Sequence, residues 1–200
     1  MEIVLRAVSV AALSSFICLA DATALELRAR RMDLDGDGHK EAVVQFHNDK
    51  AVKAELDRNA DGRTDGYLFY RNGHREIGQI DSDYDGIFDT VIDYYFTGVP
   101  AAIKYDRNRD GYPDLTRYFK NGFLYKVERD RNYDRIPDVR VLYELGPDYR
   151  PKAIDGLQKV QRHYDEDFDG VFDRYLETRR RISVQKADIV AGATVSTEVR

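Results

Sequence analysis

The sequence predicts an all-β protein, an antiparallel meander of short strands that could stack in a solenoid-like way. Three observations predict it. Short runs alternate apolar with other residues, as at Ala101, Ile103, Tyr105 and at Val139, Val141, Tyr143. A period of two sends successive side chains to opposite faces of a half-buried strand. Tight-turn pairs punctuate the runs, among them Asn72-Gly73 and Asn121-Gly122. Asn-Gly supplies the left-handed pair that a two-residue hairpin needs. Finally, a nine-residue acidic segment recurs six times.

The six copies, loops 1 to 6, occupy residues 33–41, 57–65, 81–89, 106–114, 130–138 and 165–173. Their starts lie 24, 24, 25, 24 and 35 residues apart. A strand-like run leads into each loop, at 25–32, 51–56, 75–80, 101–105, 123–129 and 158–164. Another leaves it, at 42–46, 67–70, 90–96, 115–119, 139–143 and 174–176. Turns at 47–49, 72–73, 97–98 and 121–122 join one unit to the next. The repeats therefore fill residues 25–178, with the acidic loops on one edge of the sheet and the tight turns on the other. So small a unit cannot bury a core alone, so neighbours must pack together. The longer spacing before loop 6 places a loop at 144–161, which could carry a short helix.

Positions 1, 3, 5 and 9 of each loop hold oxygen-bearing side chains. They are Asp33, Asp35, Asp37 and Glu41; Asp57, Asn59, Asp61 and Asp65; Asp81, Asp83, Asp85 and Asp89. The later loops continue with Asp106, Asn108, Asp110 and Asp114; Asp130, Asn132, Asp134 and Asp138; Asp165, Asp167, Asp169 and Asp173. Calcium is a hard cation that takes about 6–8 oxygen ligands in flexible geometry. Alternate residues of a tightly curled loop can aim their oxygens at one centre, and the position-7 carbonyl can add another. Asp89 and its equivalents would close the shell. One Asp-Gly segment is an ordinary turn signal. Six copies that gather 21 of the 36 acidic residues at ligand positions are repulsive without a cation. Up to six calcium ions are expected. Position 6 is glycine except in loop 5, where Arg135 adds a cation and backbone strain; that site is expected to be the weakest.

The opening of each loop resembles an EF-hand loop, but position 12 holds Val44, Leu68, Ile92, Arg117, Val141 or Leu176 in place of the EF-hand Glu. With its last carboxylate at position 9, the pattern resembles the calcium loops that join two strands in integrin α-subunit propellers. That resemblance covers loops and flanking strands, and it implies strand–loop–strand units with metal at one end of a hairpin.

Composition bounds the rest. The chain has 200 residues, is 42% hydrophobic and 34% charged, and carries a formal charge of −5. Tryptophan is absent while tyrosine numbers 14, which suits a thin sheet because the ring packs while the hydroxyl stays wet. Outside the loops basic residues outnumber acidic ones. Cys18 is the only cysteine, so no internal disulfide forms. His39, His47, His74 and His163 show neither metal-ligand nor triad spacing, and no Gly-rich phosphate loop occurs. Arg179, Arg180 and Arg181 form the only basic cluster, too short to indicate nucleic acid. The chain reads as non-enzymatic, with an unidentified protein or surface partner.

At the N-terminus an apolar run at 7–20 follows Arg6, and small-residue patterns follow at Ala20-Asp21-Ala22 and Ala22-Thr23-Ala24. This reads as a secretory signal over 1–24, shorter than the roughly 20 apolar residues a span requires. An exported protein, secreted or periplasmic, with no span after cleavage is expected.

The tail at 179–200 contains Asp188, Gly192, Ala193, Thr194, Ser196 and Thr197. These resemble the flavin-attachment motif of extracytoplasmic FMN-binding proteins. The resemblance implies covalent FMN on Thr194, with Asp188 in the recognition sequence. Ala191 departs from the Ser or Thr usual in that family, and only about ten residues match. Two roles thus stay open: a structural or interaction protein, or a flavinylated electron-transfer component on a calcium scaffold.

Overall fold

A computed structural model of the chain describes residues 3–5, 27–33, 36, 38–148, 150–154 and 157–181, with backbone only for 3–5 and 153–154. All of its regular elements are strands: β1 Ile3–Leu5, β2 Leu27–Met32, β3 Ala42–His47, β4 Lys50–Leu56, β5 Gly66–Arg71, β6 His74–Ile80 and β7 Thr90–Tyr94. They continue with β8 Pro100–Tyr105, β9 Leu115–Lys120, β10 Phe123–Arg129, β11 Val139–Tyr143, β12 Ala153–Ile154, β13 Leu157–Tyr164 and β14 Arg174–Arg181. Each strand from β1 to β10 pairs antiparallel with the next in sequence. β13 pairs with β11 and with β14. This is one antiparallel meander sheet that does not close into a barrel.

Register sorts the side chains into rows that cross the sheet. In the row nearest the acidic loops, Ala42 faces Leu56, then Gly66, Ile80, Thr90, Tyr105 and Leu115. In the next row Val44 faces Ala54, then Leu68, Gly78, Ile92 and Ile103. These two rows supply most of the core, and Leu56 and Leu68 are each 1% exposed. Gly66 shows how close the packing is. A Cβ there would lie 3.0 Å from both Leu56 Cδ1 and Ile80 Cδ1, so the flanking side chains close over the bare backbone. Toward β14 the same rows bring in Arg117, Arg129, Arg162 and Arg174, and β14 is exposed along nearly its whole length. The core therefore sits under β3–β10.

The opposite face is a mixed ladder. Lys53 pairs with Glu55 and lies over the Tyr67 ring. Lys126 and Arg140 both pair with Glu128, and Lys126 also lies over Tyr118. Long amphipathic side chains cover apolar surface while their charged ends stay wet.

The far edge turns as expected. Asn48-Asp49, Asn72-Gly73 and Asn121-Gly122 all have positive φ at both residues, the two-residue hairpin geometry whose twist matches the strands. A register shift lies beside each of the four far-edge turns, at Gln45/Phe46, Phe69/Tyr70, Asp93/Tyr94 and Leu124/Lys126. Such bulges increase local twist.

The connection before loop 6 differs from expectation. Among the described residues it contains no helix. Leu145 bridges Pro151, β12 folds back on β13, and β13 already begins at Leu157. Alternation decides this: Gln158 and Val160 are buried while Leu157 and Lys159 are half-buried, and Gln158 Nε2 donates to the Glu144 carbonyl at 3.0 Å. β14 runs to Arg181, beyond the expected end of the repeats at 178.

Candidate metal centres

All six acidic loops close alternate hairpins on one edge of the sheet, and among the described residues they share one backbone feature. Positions 4 and 6 are left-handed throughout: Gly36 and Gly38, Ala60 and Gly62, Tyr84 and Gly86, Arg109 and Gly111, Tyr133 and Arg135, Phe168 and Gly170. Position 6 was legible as glycine. Position 4 was not, because five of its six residues carry side chains that disfavour this region.

The fold of each loop is held by its own carboxylates. The position-1 aspartate accepts the position-6 amide in every loop, at 2.7–3.0 Å. The position-5 aspartate accepts the position-7 amide at 2.8–2.9 Å in loops 2 to 6. The position-9 aspartate accepts the position-2 amide in the same five loops. Ionised carboxylates gathering several N–H donors are strongly held. Arg135 adopts φ 77° and makes the same bond as the glycines, 2.7 Å to Asp130. Its guanidinium lies over the Tyr112 ring, 3.4 Å from the centroid.

Successive loops are also tied together. The position-1 amide of each loop donates to the position-9 carbonyl of the loop before it: Asp57 to Glu41, Asp81 to Asp65, Asp106 to Asp89, Asp130 to Asp114, Asp165 to Asp138, at 2.8–3.0 Å.

Two clusters emerge among the described residues. Asp81, Asp83 and Asp85 bring carboxylate oxygens within 4.8 Å of one another, and so do Asp165, Asp167 and Asp169. The charge of Asp169 pushes the Asp167 carboxyl above its ordinary value. In loops 2, 4 and 5 the position-3 amide donates to the position-5 carboxylate: Asn59 to Asp61, Asn108 to Asp110, Asn132 to Asp134, at 2.9–3.1 Å. Position 9 sits at the base of the loop instead of joining either triad. Asp89 accepts Ser82 Oγ and Thr90 Oγ1, and Asp114 takes the Arg107 guanidinium on Oδ1. In loop 1, Asp33 accepts the amides of Gly36 and Gly38, and Glu41 gives its carbonyl to Asp57. Asp35, Asp37 and the tail with Asp188 and Thr194 lie outside the described residues, as does the 7–24 portion of the expected signal.

Whether a cation fits is tested best at Asp65. Its side chain is buried, with the residue 4% exposed. Oδ2 accepts the amides of Arg58 at 2.8 Å and Asn59 at 3.4 Å. Oδ1 is buried with no hydrogen-bond partner. Burial pushes this carboxyl above its ordinary value. Arg58, whose charge opposes that rise, lies over the Tyr84 ring, and its Nη1 is likewise buried without a hydrogen-bond partner. A buried carboxylate oxygen left unsatisfied costs about 1–3 kcal/mol or more, which a hard cation beside it would offset. The all-oxygen donor set fits such an ion and does not suit softer metals.

No family model matches the chain, and no curated protein matches it. A solved structure of accessory secretory proteins 1, 2 and 3 from Streptococcus pneumoniae matches 46% of this chain and 18% of that one, at 18% identity and a TM-score of 0.37. So distant a likeness carries no argument here. Among the described residues no helix is long and apolar enough to cross a membrane.

Proposed function

We propose that this chain is an exported calcium-binding repeat protein with a structural or interaction role. The observation that supports it most is the buried, unpartnered Asp65 Oδ1 at the base of a loop whose left-handed positions 4 and 6 recur in all six copies. In this reading Asp or Asn oxygens at positions 1, 3 and 5 reach the ion together with a backbone carbonyl, and position 9 completes or backs the shell. A bound cation screens the loop carboxylates and fixes the hairpin ends, so binding and folding are linked. Magnesium fits less well because it demands near-ideal octahedral geometry. Export rests on the apolar run at 7–20, and the surface or protein partner is unidentified.

Native mass spectrometry of the protein from its source, beside an EDTA-treated aliquot, tests this reading. EDTA-removable calcium adducts together with a lower melting temperature after EDTA are expected. Absence of calcium from the untreated protein would sink the reading. The same spectrum checks the tail, since an EDTA-resistant FMN mass that survives denaturation would assign flavin to Thr194.

A further inference from the structure

Loops 3 and 6 carry the same triad of aspartates at positions 1, 3 and 5, yet their neighbours differ. Arg109, at position 4 of loop 4, reaches across to loop 3. Its Nη2 donates to Asp83 Oδ2 and its Nη1 forms an ion pair with Asp85 Oδ2, each at 2.6 Å. The planar fork thus spans two carboxylates that a divalent ion would share. The third, Asp81, has both oxygens on loop amides, those of Asp85 and Gly86. Arg109 stands at the left-handed fourth position, φ 63°, that all six loops share. In loop 6, among the described residues, Arg174 pairs with Glu166, and neither Asp167 nor Asp169 pairs with a Lys or Arg.

We propose that Arg109 is the resident cation of loop 3, which calcium has to displace, so that two sites with the same ligands differ in affinity through one side chain of a neighbouring loop. The proposal rests on the calcium reading above. Entry of calcium breaks both ion pairs and sets a divalent charge beside a guanidinium that remains tethered one loop away. Loop 6 has no such competitor and fills first. Arg109 also offsets part of the negative charge of loop 3 while calcium is scarce, which helps the hairpin keep its shape without metal.

The position-6 glycines report the two sites separately, because Gly86 donates to Asp81 at 2.7 Å and Gly170 to Asp165 at 2.8 Å. Calcium is titrated into the full-length protein while these two amide signals are followed by NMR. In the wild type the Gly170 midpoint should fall at lower calcium than that of Gly86. Arg109→Asn suits the left-handed backbone. It should move the Gly86 midpoint to about tenfold lower calcium, a factor appropriate to one nearby, partly screened charge, and leave Gly170 unmoved. Arg109→Lys keeps the charge and should leave Gly86 near its wild-type midpoint. An unchanged or raised Gly86 midpoint in Arg109→Asn overturns the proposal while leaving calcium binding intact. So does an equal fall in Arg109→Lys. If neither glycine responds to calcium in any of the three proteins, the calcium reading fails and this proposal with it.

Discussion

Asp65→Asn should change sign with calcium. In the calcium-free protein the substitution removes a buried charge whose Oδ1 has no partner. The amide oxygen can still accept from Arg58 and Asn59, the two bonds that close the loop base. A buried polar group left unpaired costs about 1–3 kcal/mol. The new NH₂ is itself unpaired but uncharged, so only part of that cost is recovered, about 1 kcal/mol. For a chain of this size that corresponds to a rise of about 2–4 °C in melting temperature. With saturating calcium the same substitution takes charge away from the ion, and the calcium-induced gain in stability should shrink. Paired thermal melts in EDTA and in calcium read both signs. Equal destabilisation in both conditions would refute the reasoning, because Asp65 would then act only as a loop closure that any loss of charge weakens.

Three more predictions follow from other parts of the molecule. Leu56→Ala, at a site 1% exposed beneath Gly66, should cost about 2–5 kcal/mol in urea unfolding, and a loss below about 1 kcal/mol would mean the core is not tightly packed. Arg135→Gly relieves a left-handed side chain, φ 77°, and should stabilise the protein by up to about 1 kcal/mol in EDTA while increasing calcium uptake by loop 5; an unchanged uptake would clear Arg135 as the cause of a weak fifth site. Acid should act differently with and without calcium. Burial raises the Asp65 carboxyl, and the charge of Asp169 raises that of Asp167. A carboxyl with a raised folded pKa holds its proton more tightly in the folded state. These two groups therefore add stability as pH falls through their folded values, and they subtract it above them. Glu128 runs the other way. Burial pushes it up, but hydrogen bonds from Lys126, Tyr118 and Arg140 outweigh burial and hold it low, so its contribution is lost as pH falls through that lowered value. Calcium-free protein should accordingly gain melting temperature on mild acidification before losing it, whereas calcium-loaded protein should only lose; a monotonic fall without calcium would contradict this.

The strands were legible because period-two alternation and Asn-Gly turns are local signals. Those at 115–119, 123–129 and 139–143 agree with β9, β10 and β11 to within a residue. The positions of the loop acids were legible for the same reason. What escaped depends on neighbours. Nothing in the sequence of loop 4 says that Arg107 turns to its own Asp114 while Arg109 turns to loop 3. The intrinsic preference of Tyr84 or Phe168 does not put it in a left-handed conformation; it goes with the amide-to-carboxylate bonds that curl its own loop. The helix that 144–161 could have carried is absent among the described residues, where β13 has partners on both sides, β11 and β14, and sheet pairing overrides weak local preference.

The ladder of amides that ties each loop to its predecessor makes the acidic edge a ruler. Two strands separate neighbouring loops, so their centres recur about every 10 Å. Physiological salt screens charge over about 8 Å. A loop should therefore sense the occupancy of its immediate neighbours and little beyond them. Filling the array then resembles adsorption onto a finite one-dimensional lattice, where charge repulsion between adjacent ions opposes the stiffening passed along the ladder. Its two end loops have one neighbour each, so the ends and the middle of the same protein should respond to different calcium levels.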